Sequence, residues 1–145
     1  MQNLKEYLIK AREFNSPQIR ALVFGNSSAD MDSVVSSFIT SYFYGSIKKH
    51  NNYLYSPVIN CAREDLVLRI EIIEHLKNCG IDKDFLNANV YFQDDLIQSK
   101  AQIESVVLVD FNKLNKEFEE LSDRVHFIVD HHIDNNLYSS SLIEK

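Results

Sequence analysis

Phe127-Ile128-Val129-Asp130-His131-His132 runs from an apolar, partly β-branched stretch straight into a carboxylate and two imidazoles. The apolar part predicts a buried strand. The abrupt switch puts ionisable groups where that strand leaves its sheet. The same event occurs twice upstream. Ser105-Val106-Val107-Leu108-Val109, the clearest central strand of the chain, ends in Asp110. Arg20-Ala21-Leu22-Val23-Phe24 ends in Gly25-Asn26-Ser27-Ser28-Ala29-Asp30-Met31-Asp32-Ser33. Near-continuous apolar strands alternating with helices predict an α/β fold, with a mostly parallel, twisted sheet of about five strands and helices on both faces. In such open sheets ligands occupy the crevice beyond the carboxyl ends of the strands.

The remaining elements follow from periodicity and breakers. Leu4 to Phe14 has helical spacing, stopped at Ser16-Pro17. Ser33 to Lys48 carries an apolar stripe through Val34, Val35, Phe38, Ile39, Tyr42 and Phe43. Tyr53 to Cys61 predicts a second strand, interrupted or edged at Pro57. Asp65 to Asn78 predicts an amphipathic helix through Leu66, Leu68, Ile70, Ile72, Ile73 and Leu76, with Gly80 as its C-terminal stop. Val90-Tyr91-Phe92 is a short strand, Leu96 to Ala101 a helical turn and Leu114 to Leu121 a helix. Val125 to Val129 is read as the last strand.

The 145 residues fit one domain, since domains commonly run about 100–150 residues. With 45% apolar and 25% charged residues the chain has an ordinary globular composition. Its net charge of -6 argues against binding duplex nucleic acid, which calls for a basic patch. That charge also opposes any anionic substrate, unless bound cations reverse the local field. Cys61 and Cys79 are isolated and imply neither a disulfide framework nor a zinc ribbon. The N-terminus lacks the apolar core of a signal peptide, and no run approaches the roughly 20 apolar residues of a membrane span. A cytoplasmic, membrane-free protein is expected.

A parallel sheet with right-handed crossovers brings the three polar strand ends to one edge. That gathers Asp30, Asp32, Asp110, Asp130, His131 and His132. Taken singly, Asp30 or Asp32 reads as the N-cap of the following helix, Asp110 as a cap or turn residue, and a lone histidine as structural. Coincidence at three strand ends favours one shared site. Carboxylates so close repel unless cations neutralise them. Oxygen with imidazole suits magnesium, manganese, cobalt or iron better than a thiolate-rich zinc site. Two cations bridged by one carboxylate satisfy the ligand count and favour in-line attack on phosphorus. Asp94-Asp95 reads as a helix cap instead. His50, His75 and His126 read as surface or packing residues, and Tyr42 and Tyr44 as core or surface aromatics. Gly25-Asn26-Ser27-Ser28 lacks the ending of a P-loop.

The strings "GNSSADMDS" at 25–33, "VVLVDFNKLN" at 106–115 and "FIVDHHID" at 127–134 resemble the three ordered motifs of the DHH phosphoesterase superfamily. With "NCAREDLVLRIEIIEHLKNCGI" at 60–81 they look most like its eukaryotic cytosolic exopolyphosphatase and prune branch. The resemblance spans Ala21 to Asn135. It implies Asp30 as ligand of a first metal, Asp32 and His131 as ligands of a second, and Asp110 as the bridge. His132 would face the substrate phosphate, with Asp130 orienting the motif. Asn26 stands where related family II pyrophosphatases carry a metal-ligating histidine, a departure shared with the exopolyphosphatase branch.

The implied activity is release of orthophosphate from inorganic polyphosphate, or from a small phosphate ester, by water activated between two divalent cations. Magnesium or manganese is expected, with cobalt as a further option. The family's fourth motif and basic second domain have no counterpart before Lys145. The chain therefore reads as an N-terminal DHH domain over 1–145, with little activity expected of it alone. The competing readings are a nucleotide phosphodiesterase of the prune or nanoRNase kind, and a non-catalytic module that binds metal or protein. Oligomeric state has no sequence signature here.

Overall fold

A computed structural model describes residues 2–13, 20–49, 53–97, 103–138 and 142–144. Among these residues lie six parallel strands: β1 Arg20–Phe24, β2 Leu54–Ile59, β3 Tyr91–Phe92, β4 Ser105–Val109, β5 Val125–Val129 and β6 Leu142–Glu144. Their order is β3-β2-β1-β4-β5-β6, the doubly wound arrangement, which reverses direction between β1 and β4. The helices are α1 Gln2–Arg12, α2 Met31–Tyr42, α3 Ile70–Asn78, α4 Lys83–Asn89 and α5 Gln93–Ile97.

Alternation along the strands divides the core. Leu22, Phe24, Val106, Leu108 and Ile128 face one way, onto Leu96 of α5 and onto Phe118 and Leu121. Ala21, Val23, Val107, Val109 and Phe127 face the other way, toward Tyr44 and Tyr55. On that second side Ile59 joins Leu8 of α1, Val34 and Phe38 of α2, Ile72 and Leu76 of α3, and Leu86 of α4. The expected α/β architecture with both faces covered is present.

Several expectations need correction. The parallel sheet is of about the expected size, but β5 is not its last strand: the short β6 pairs with it from Phe127↔Leu142 to Val129↔Glu144. Pro57 does not interrupt β2, which pairs with β1 along its whole upstream half. It is tolerated because β3 pairs only with Val58 and Ile59, so at Pro57 the ladder has a single neighbour. The helix expected from Ser33 to Lys48 begins at Met31 and passes into a π-helical turn, Phe43–Ile47.

The single helix expected at 65–78 is two pieces, a 3-10 segment Arg63–Leu68 and α3, broken at Arg69. The break turns Leu68 and Ile70 outward, 69% and 67% exposed, while Leu66, Ile72 and Leu76 stay buried. Gly80, at φ 78, closes α3 as expected, with Ile81 N donating to Leu76 O. The helix expected at Leu114 to Leu121 is a 3-10 segment, Lys116–Arg124. Helix α4 is an addition to the expected elements, capped by Asp82, which accepts from Phe85 N at 2.8 Å. Ser16-Pro17, His50 and the end of the turn expected at Leu96 to Ala101 lie outside the described residues.

Candidate metal centre

Each site residue sits just past a strand. Gly25 turns the chain out of β1, and a Cβ there would meet Ser33 Oγ at 2.4 Å, so only glycine lets α2 start this close. Ser33 Oγ in turn accepts from Asn26 N at 2.5 Å. Ala29 takes a positive φ of 46°, which non-glycine residues rarely adopt. Asp30 then caps α2 by accepting from Ser33 N at 3.3 Å, and Asp32 lies in the first turn. Asp110, directly after β4, also has a positive φ, 62°.

Among the described residues two groups of ligand-type atoms form, each within 4.8 Å. One joins Asp30, Asp32 and Asp110; the other joins Asp110, His131 and His132. Asp110 is common to both. Its carboxylate is 9% exposed, with Oδ1 3.2 Å from His131 Nε2 and Oδ2 accepting from Asn26 Nδ2 at 2.7 Å. Asp32 groups with Asp30 rather than with His131. The histidines are open, His131 74% and His132 53% exposed, with rings 4.2 Å apart. Asp130 stands behind them, its side chain 2% exposed, and its Oδ1 accepts from His132 Nδ1 at 2.6 Å. A cavity of about 320 Å³ beside the cluster is lined by Asn26, Ser28, Asp110, Lys113, His132 and Asn135, among others. Lys113 and Asn112 were given no role from sequence. The cation beside a carboxylate cluster was the available signal for Lys113.

The electrostatics are those of a crowded anionic site. Burial, then Asp32 and Asp30, push the Asp110 carboxyl above its ordinary value. A hydrogen bond with Asp30 holds Asp32 below its own. Burial alone would raise Asp130, but bonds from His132 and Asn112 outweigh it and bring it down. The bond to Asp130 raises His132. Repulsion focused on a nearly enclosed Asp110 is what a divalent cation relieves, and the donors are oxygen and imidazole, so the cluster fits hard or borderline cations. Cys61 and Cys79 belong to neither group.

Asp95 behaves as expected of a capping residue, while Asp94 Oδ2 accepts from Arg63 N at 2.9 Å, at the start of the 3-10 segment Arg63–Leu68. Asp95 Oδ2 accepts from Phe92 N at 2.9 Å at the start of α5 and pairs with Arg63 and Arg12. His75 is exposed, and His126 packs edge-on against Tyr53 while bonding Ser105 at 2.6 Å. Tyr44 is a packing aromatic, beside Tyr55 and Phe127.

A doubly wound parallel sheet with an acidic and imidazole cluster at its switch point defines the class of protein. The model of the DHH family, N-terminal domain, matches residues 20–144, and the chain belongs to that family. A Schizosaccharomyces pombe protein named "Putative exopolyphosphatase" is 32% identical over 136 residues, covering 92% of this chain and 34% of its own length. Human "Exopolyphosphatase PRUNE1" is 27% identical over 114 residues, 76% of this chain and 24% of its own. The chain thus spans about a third or less of these relatives. Among the described residues no helix is long and apolar enough to cross a membrane.

Proposed function

We propose that the chain is the metal-binding domain of an exopolyphosphatase-type phosphohydrolase, cytoplasmic and releasing orthophosphate from inorganic polyphosphate. The observation that carries this reading is the sharing of Asp110 by two ligand groups, as a bridging carboxylate would be. Asp30 and Asp32 would hold cation charge on one side of it, and His131 on the other. Magnesium or manganese bound there would supply charge neutralisation for a phosphate oxygen and a nucleophilic water at neutral pH.

The chain's own residues do the rest. Asn26 donates to Asp110 Oδ2 and holds the bridge in place. Asp130 aims His132, whose raised pKa favours an imidazolium able to donate to a phosphate oxygen. The exopolyphosphatase names of two relatives support polyphosphate as the substrate class.

Calorimetric titration of the chain with manganese tests the reading. Binding that Asp110→Ala abolishes is expected. No binding, or binding indifferent to that substitution, would overturn the metal centre. Comparing polyphosphate, pyrophosphate and a dinucleotide as substrates tests the substrate class, and preference for the dinucleotide would sink it.

A further inference from the structure

Behind His132 lies a buried polar chain that begins at Asn112, a residue 6% exposed and two positions beyond the shared carboxylate. Asn112 Nδ2 donates to Asp130 Oδ2 at 2.5 Å and to the Ile133 carbonyl at 3.0 Å. Its Oδ1 accepts from the Asn135 backbone N at 3.3 Å and from Asn135 Nδ2 at 2.5 Å. The amide nitrogen thus meets two acceptors and the oxygen two donors. Rotating the amide by half a turn would set oxygen against a carboxylate and a carbonyl, so its orientation is determined.

That orientation has a consequence for Asp130. Oδ2 is occupied by Asn112, and Oδ1 takes both the backbone N of His132, at 3.2 Å, and Nδ1 of its ring, at 2.6 Å. A carboxylate oxygen held in this way requires a proton on Nδ1. The nitrogen left to the exposed, site-facing side of the ring is then Nε2.

We propose that Asn112 is a positioning residue: by holding one oxygen of Asp130 it commits the other to Nδ1 of His132, and so makes Nε2 the nitrogen offered to the phosphate site. The importance of Nε2 rests on the function proposed above, but the positioning itself does not. A partner behind a functional imidazole fixes both its tautomer and its ring orientation, and losing such a partner costs roughly 10–100-fold in affinity or activity at metal sites. Asn112 acts one bond further back, so its loss belongs at the lower end of that range.

The competing role is purely structural, a tie between the segment after β4 and residues 133–135. Asn135 separates the two. Asn135→Ala removes one of the bonds to Asn112 Oδ1 but leaves Nδ2 on Asp130, whereas Asn112→Ala removes both halves. The readout is the nitrogen-15 spectrum of the His132 ring in the metal-free chain, at a pH where the ring is neutral. Wild type and Asn135→Ala should show protonated Nδ1 and bare Nε2. Asn112→Ala should show a tautomer mixture, with its near-ultraviolet circular dichroism unchanged. Asn112→Leu keeps the volume and removes the donors to Asp130 without adding a charge, and gives the same reading should the alanine variant fail to fold. A His132 locked as in wild type in either folded Asn112 variant would overturn the proposal, as would a wild-type ring protonated on Nε2. Manganese calorimetry on the same samples reports separately on the metal centre, so either idea can fail alone.

Discussion

Asn26 donates its side-chain amide to Asp110 Oδ2 at 2.7 Å, and this bond joins the segment after β1 to the segment after β4. Those are the two strands between which the sheet reverses its order, where doubly wound folds bind ligands. Asn26 is itself held from behind: its Oδ1 accepts from Ser28 N at 2.9 Å and Ser28 Oγ at 2.8 Å. The neutral amide therefore faces an anion as a donor only.

Asn26→Asp converts that donor into a second carboxylate at contact distance from Asp110. Metal-free, the variant should lose about 2 kcal/mol, the scale of a buried hydrogen bond to a charged group turned repulsive. That corresponds to roughly 6 °C in Tm. Manganese should recover the loss, so its Tm increment on Asn26→Asp should exceed that on wild type. Thermal melts with and without manganese check this, and equal increments would show that Asn26 does not border the cation site.

Gly25→Ala should destabilise the chain and weaken the site together. The added Cβ would lie 2.4 Å from Ser33 Oγ and 2.9 Å from Ser33 O, so the first turn of α2 has to move, and Asp30 and Asp32 ride on it. Overpacking of this kind costs about 1–3 kcal/mol. Urea denaturation and manganese calorimetry on the same variant should both register the change. Lower stability with unaltered manganese affinity would mean that the helix start does not set the ligands.

Cys61 is a reporter far less tied to the site. Burial, then Asp65, push its thiol up to about 11 from 9.0, so it stays protonated at neutral pH. At pH 8 the thiolate population should be roughly 100-fold below that of an unperturbed cysteine. Alkylation should therefore be biphasic in the native chain, with the partly exposed Cys79 modified first. In denaturant the two rates should converge. Peptide mapping that finds Cys61 modified as fast as Cys79 in the native state would contradict its burial.

The legible parts of the fold were those whose signal is local and redundant. β1, β4 and β5 are unbroken apolar runs that end in polar groups, and a parallel sheet fixes which edge those ends share. β6 offered only Leu142-Ile143 before a charge, too short a run to declare itself without its partner β5. From Leu66 to Ile72 apolar residues recur at every second position, a strand-like period laid over the helical spacing of Ile72, Ile73 and Leu76. Neither reading foresees a break at Arg69 that leaves Leu68 and Ile70 in solvent. At the site, ionisable residues at strand ends stood out because burying charge is costly and needs a reason. Asn112 did not stand out, since a neutral amide acquires its meaning only from the carboxylate, the carbonyl and the Asn135 donors that the fold brings to it.

Asp110→Asn separates the folding role of the shared carboxylate from its ligand role. Asparagine tolerates the positive φ at this position, and its oxygen can still accept from Asn26, so the substitution removes charge with little other change. Because burial, Asp32 and Asp30 raise the Asp110 pKa in the folded state, folding is favoured by its proton. That contribution is fully present below 3.8, the unperturbed value, and is lost as pH rises through the higher folded value. In chelator near pH 7 wild type should therefore be no more stable than Asp110→Asn, and the gap should close as pH falls toward 3.8. Manganese should reverse the order: at about 100 times its dissociation constant it adds roughly 2.7 kcal/mol to a chain that binds it, and nothing to one that does not. Urea titrations across pH, each with chelator and with manganese, measure all four corners of this cycle. A variant that is less stable than wild type in chelator, or that gains as much from manganese, would mean that Asp110 is a structural carboxylate and not the hinge of the cluster.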